Sequence, residues 1–83
     1  MKQQDLTQMI ERAKTKKNGV YPYKTYYYYL VIDGQVSAWS DFLGEIHERS
    51  YGFNVSKGKA KDRFEAKEIL KGYLKQFNSY HPT

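Results

Sequence analysis

The chain of 83 residues has no cysteine, and that single absence removes a disulfide framework, a thiolate nucleophile and every cysteine-ligated zinc site. No apolar run approaches the length of a secretory core or a bilayer span, and the opening Met1-Lys2-Gln3-Gln4-Asp5 is polar, so the expected setting is soluble and cytoplasmic. A glycine-rich phosphate loop, a G-x-S-x-G elbow and an H-E-x-x-H helix are also missing. There is no internal repeat, linker or low-complexity tract, and a chain of this length makes one domain, residues 1–83, with little room for a deep cleft.

What the chain has is tyrosine and positive charge. Nine tyrosines stand against four phenylalanines and one tryptophan, so much of the aromatic area carries a hydroxyl and suits half-wet positions and interfaces. The net charge of +5 divides as +3 over residues 1–34, −2 over 35–50 and +4 over 51–83. An acidic middle therefore separates two basic ends, a balance that favours polyanionic partners.

The run Tyr26-Tyr27-Tyr28-Tyr29-Leu30-Val31-Ile32 followed by Asp33-Gly34 organises the rest. Aromatic and β-branched residues predict a strand over Lys24–Ile32, and Asp-Gly predicts a two-residue type I′ turn into a second strand over Gln35–Trp39. An uninterrupted ladder would pair Leu30 with Ser37, Tyr29 with Ala38 and Tyr28 with Trp39, leaving the Tyr29, Val31, Val36 and Ala38 face the more buried. Before it, Val20-Tyr21-Pro22-Tyr23 reads as an extended lead.

Helical spacing of Leu6, Met9, Ile10 and Ala13 predicts an N-terminal amphipathic helix within residues 1–19, capped by Asp5 and stopped at Asn18-Gly19. Its basic end, Arg12, Lys14, Lys16 and Lys17, is either a partner-binding arm or the solvated side of a helix docked on the sheet; the narrow apolar stripe favours docking. Asp41–Arg49 predicts a short second helix, with a strand as its rival because Phe42, Gly44 and Ile46 also alternate. Tyr51, Phe53 and Val55 predict a third strand over residues 51–56. From Ala60 onward, Phe64, Ile69, Leu70, Tyr73, Leu74 and Phe77 predict the main covering helix, with Lys67, Lys71 and Lys75 in a row along it. The fold expected is α+β in the order αββαβα: a three-stranded antiparallel sheet packed against the C-terminal helix, the N-terminal helix flanking, residues 23–77 forming the core and 78–83 a frayed tail.

Acid–base or metal chemistry would have to rest on Asp41, Glu45, His47 and Glu48, whose spacing matches no catalytic or metal-ligand pattern. The expectation is a noncatalytic protein without cofactor or metal. Its binding residues would be Lys57, Lys59, Lys61, Arg63 and Lys71 on phosphates, with Trp39 and Tyr28 as stacking platforms and Tyr26 beside them, the division of labour of single-strand or RNA-binding surfaces. The alternative partner is a protein, met as inhibitor, adaptor or homodimer through an uncovered edge of the tyrosine strand. Which side of the hairpin stays uncovered separates the two: a tyrosine face exposed beside the lysines favours nucleic acid, an uncovered tyrosine edge away from them favours a protein partner, and with both faces buried the tyrosines support neither.

The succession of hairpin, Ala38-Trp39-Ser40-Asp41 and a final Ala/Lys/Glu helix over about residues 26–77 resembles the small ββαβα hybrid-binding module of some ribonucleases H and viroplasmin-like proteins. The resemblance implies duplex nucleic-acid binding through the tryptophan region and the basic residues before the last helix. The chain adds an N-terminal helix to that pattern and lacks its glycine-aromatic second strand and its Lys-x-Phe-x-Thr lead.

Overall fold

A computed structural model describes residues 3–24, 27–41, 44–49 and 60–80. They form α1 (Gln3–Ala13), β1 (Gly19–Tyr23), β2 (Tyr27–Ile32), β3 (Gln35–Ser40), β4 (Ile46–Glu48) and α2 (Arg63–Tyr80). The strands make one antiparallel sheet in the order β1-β2-β3-β4. This is an α+β fold, with four strands rather than three among the described residues. The extended lead is itself a strand, since β1 pairs with β2 from Gly19↔Val31 to Tyr23↔Tyr27. The expected strand over 51–56 lies outside the described residues.

The short helix over Asp41–Arg49 is not formed. Instead the Asp41 carbonyl accepts from Gly44 N–H at 3.1 Å, and Asp41 N–H donates to the Glu45 carbonyl at 3.1 Å. These bonds turn the chain back into β4, where Ser40 faces Ile46 and Trp39 faces His47. Gly44 carries the turn at φ 86°, in the left-handed region open to glycine. A helix needs the opposite φ sign at that residue, and the rival continuing strand is not formed either, since the chain reverses at Gly44 and only Ile46–Glu48 is strand. The same correction breaks the resemblance to a ββαβα module.

The Asp33-Gly34 turn has both residues at positive φ, 53° and 75°, as type I′ requires. Asn18 is not a helix stop; its side-chain carbonyl accepts Asp33 N–H at 2.8 Å. Beyond the turn the ladder slips, because Val31 pairs with Val36 but Leu30 with Ala38. Ser37 is the extra residue of a β-bulge. Buried, it donates its hydroxyl to the Leu30 carbonyl at 3.3 Å and accepts Arg49 N–H at 2.7 Å on its own carbonyl.

That bulge decides what each face carries. Tyr29, Val31 and Val36 point one way with Tyr23 and bury against Met9 and Ala13 of α1. Leu30, Ile32 and Ala38 point the other way and bury against Leu70 and Tyr73 of α2. Ala38 thus changes sides relative to an unbulged ladder, and both faces of the sheet are covered by helix. Each fully buried side chain of this size contributes roughly 1.5–3 kcal/mol, so the two helices share the core between them.

Both helices are positioned by their ends. Asp5 is no cap: it lies inside the first turn of α1, buried, where its carboxylate accepts the Tyr23 hydroxyl at 3.2 Å and pairs with Lys24 at 2.8 Å. The carboxylate bond raises the Lys24 pKa above its ordinary 10.5. At the other helix Asp62 is the N-cap, accepting Glu65 N–H at 2.8 Å, while Glu65 reaches back to Lys61 N–H at 3.0 Å. α2 then runs through Asn78 and Ser79, beyond the expected end at residue 77.

Candidate nucleic-acid interface

The residues expected to bind separate by element. Lys57, Lys59 and Tyr26 lie outside the described residues. Lys61 precedes the Asp62 cap and is exposed, Arg63 is the first residue of α2, and Lys71 lies two turns further on. At a helical rotation of 100° per residue, Arg63, Lys67, Lys71 and Lys75 form an i, i+4 row along one flank of α2. The opposite side of the wheel carries Glu65 and Ile69. The Lys71–Glu68 pair, 3.6 Å apart with both side chains largely exposed, is a weak surface contact that a phosphate can displace.

Tyr28 belongs to the same side of the sheet. It packs half-buried against the α2 core, and the Lys67 ammonium stands over its ring at 5.6 Å from the centroid. In the sequence Lys67 is one lysine among three; the fold makes it the residue that joins cation to aromatic. Its signal was legible in the i, i+4 spacing, but its partner was not, since nothing local ties residue 67 to residue 28.

Trp39 does not join them. It pairs with Tyr29, one residue along from Tyr28, and so points to the α1 side, where its ring stacks on His47 at 5.4 Å between centroids. The bulge at Ser37 is the cause, because in the unbulged register Trp39 would stand opposite Tyr28. The two expected stacking rings therefore cannot serve one strand of bases.

No protein-family model, curated protein or solved structure matches the chain. A functional reading accordingly rests on the geometry of its own residues.

A second group of cations, which the sequence showed only as the basic end of α1, rests on tyrosines of the α1 side. Arg12 lies over Tyr23 at 4.9 Å, Lys16 over Tyr21 at 4.7 Å and Lys24 over Tyr23 at 5.6 Å. These rings also meet each other, Tyr21 with Tyr29 at 5.9 Å and Tyr23 with Tyr27 at 6.2 Å. Here the tyrosines are packing surface: Tyr23 and Tyr29 are buried, and burial raises the Tyr29 phenol pKa above its ordinary 10.0. The cations cap the rim of a core, each contact worth about 0.5–1 kcal/mol at an exposed site.

Among the described residues, Phe64 is the exposed large apolar side chain, at 61%. Arg63 covers its ring at 4.9 Å, and a shallow depression around it is lined by Lys61, Asp62, Glu65, Lys67 and Glu68. Three carboxylates in that lining make it a poor phosphate cradle. Lys67 stands at the border of that acidic lining, and Lys71 and Lys75 lie beyond it along the helix.

Among the described residues, no helix is long and apolar enough to cross a membrane.

Proposed function

We propose that this is a small noncatalytic nucleic-acid-binding protein that tracks a phosphate backbone along Arg63, Lys67, Lys71 and Lys75 and stacks a base on Tyr28. Because helices cover both faces of the sheet, an exposed tyrosine face no longer supports the reading; what supports it is the cation row of α2, with the half-buried Tyr28 ring under the Lys67 ammonium as a partly open ring beside it. The lysine is on a flexible stem and gives up roughly 0.5–1 kcal/mol when it leaves the ring for a phosphate. A stacked base returns about 1–3 kcal/mol. Lys57, Lys59 and Lys61 precede this helix in sequence and extend the positive run toward it. A single strand suits the surface better than a duplex, because only an unpaired base offers its face to a ring.

The position of β2 among the described strands weighs against the alternative, a protein partner docked along the tyrosine strand. β2 is an inner strand with β1 and β3 on its two sides. The edge beside it, β1, carries Pro22 opposite Tyr28. Tyr28 N–H points to β3, donating to Ser40 Oγ at 3.3 Å, so Pro22 turns its donorless nitrogen to the outer edge and blunts it against strand addition.

The discriminating experiment compares two ring deletions. Tyr28→Leu keeps apolar packing and removes the stacking face; we expect it to weaken binding of a short single-stranded oligonucleotide by about 5- to 150-fold, the range of one stacked base. Trp39→Leu, on the other face, is expected to leave that affinity unchanged. Equal losses from both, or loss from Trp39 alone, contradict the assignment.

A further inference from the structure

At the end of the sheet away from the Asp33-Gly34 turn, three side chains of metal-ligating type converge. The ligand atoms of Asp41, Glu45 and His47 all lie within 4.8 Å of one another. His47 Nε2 is 3.4 Å from Asp41 Oδ2 and 4.0 Å from Glu45 Oε2. We propose that Asp41, Glu45 and His47 form a binding site for a divalent transition-metal ion of the zinc class.

The His47–Asp41 contact is a long hydrogen bond at 3.4 Å, and its length also suits two ligands of one ion. Strong hydrogen bonds to a ring nitrogen fall at about 2.7–3.2 Å, shorter than either separation. Four ligand atoms placed tetrahedrally on bonds of roughly 2.0–2.2 Å stand about 3.3–3.6 Å apart. Asp41 and His47 already have that separation. Glu45, whose side chain is about half exposed, closes the remainder by rotation, and water completes the coordination on the open side of the half-exposed His47.

Two of the three ligands are held in place before an ion arrives. Asp41 is 6% exposed, and its Oδ1 accepts Glu45 N–H at 3.1 Å, leaving Oδ2 toward the imidazole. His47 is fixed by the ladder opposite Trp39 and by the indole stacked on its ring, 20° between planes. The donor set selects the metal: one imidazole with two carboxylates suits zinc, cobalt or nickel, whereas calcium and magnesium take oxygen ligands. Two negative charges balance a divalent ion inside the acidic middle of an otherwise basic chain. A bound ion would clip the β3–β4 turn shut on the face opposite Tyr28, so the site stands or falls independently of nucleic-acid binding.

Trp39 is the single tryptophan of the chain and reports on His47 directly. Titration of the full chain with Zn²⁺ by calorimetry, and with Co²⁺ by tryptophan fluorescence, is expected to give one saturable site per chain, with Co²⁺ quenching the indole. His47→Gln and Glu45→Gln are each expected to weaken binding about tenfold or more, a loss that even an outer partner of a metal ligand can produce. The exposed Glu45 side chain makes its substitution safe for folding. His81→Ala and excess Ca²⁺ are expected to change nothing. The absence of saturable binding, binding that survives both the His47 and Glu45 substitutions, or binding abolished by His81→Ala would overturn the proposal.

Discussion

Two glycines show how much of this molecule is decided one residue at a time. Gly44 sits at φ 86°, and a Cβ there would collide with the Ala60 carbonyl, whose own N–H donates to the Gly44 carbonyl at 2.7 Å. Gly44→Ala therefore combines left-handed strain with a backbone clash and is expected to lower stability by about 2–4 kcal/mol in urea unfolding. Gly72 is the opposite case: it lies inside α2, and a methyl group added there would meet nothing within 4 Å. Gly72→Ala is expected to raise stability by about 0.5–1 kcal/mol. Titration gives a third test. Burial raises the pKa of Tyr29, and burial followed by the nearby Glu48 raises that of Tyr73, above the ordinary 10.0, while Asp5 raises Lys24. The folded state holds these protons longer than the unfolded chain, so their stabilisation is whole below about pH 10 and is lost as pH rises through the folded values. Urea midpoints measured from pH 8 to 12 are expected to fall on the alkaline side, with a shallower fall in Tyr29→Phe.

At the scale of elements, each helix covers one face of the sheet, and that arrangement can be tested from both sides. Met9→Ala empties the α1 contact with Tyr29 and Val31, and Leu70→Ala empties the α2 contact with Leu30 and Ile32. Each is expected to cost about 2–5 kcal/mol, measured as a shifted denaturant midpoint in a single transition. The elements most legible in the sequence were those with local signals: the Leu6-Met9-Ile10-Ala13 stripe, the Asp33-Gly34 turn and the apolar positions of α2 from Ile69 to Phe77, whereas Phe64, expected in the same row, stands exposed. What could not be read there was set by contacts between distant residues. Nothing near Ser37 announces a bulge, because its causes are the Leu30 carbonyl and Arg49 N–H. The alternation of Phe42, Gly44 and Ile46 offered a strand continuing past Asp41 but not the reversal that leads into β4, where Gly44 is held by the distant Ala60. The same reason divides the candidate site. The lysine row could be counted along one helix, whereas the pairing of Tyr28 with Lys67 follows from the docking of α2 on the face that Tyr28 shares with Leu30 and Ile32, and the removal of Trp39 to the other face follows from the bulged register.

For the molecule as a whole, positive charge is distributed on both sides of the sheet, but with different company. On the α1 side the cations cap the buried Tyr23 and the half-buried Tyr21, and one of those cations, Lys24, is tied to Asp5. On the α2 side a row of cations runs beside a half-buried ring. The most direct test is the salt dependence of affinity for a short single-stranded DNA or RNA, for the natural chain and for a Lys67→Gln, Lys71→Gln, Lys75→Gln variant. Binding is expected at about 50 mM salt, log affinity is expected to fall linearly with log salt, and the variant is expected to lose about 2 units of slope, near 0.7 for each phosphate contact removed. No binding of the natural chain at that salt, or an unchanged slope in the variant, would contradict the assignment of this flank to a phosphate backbone.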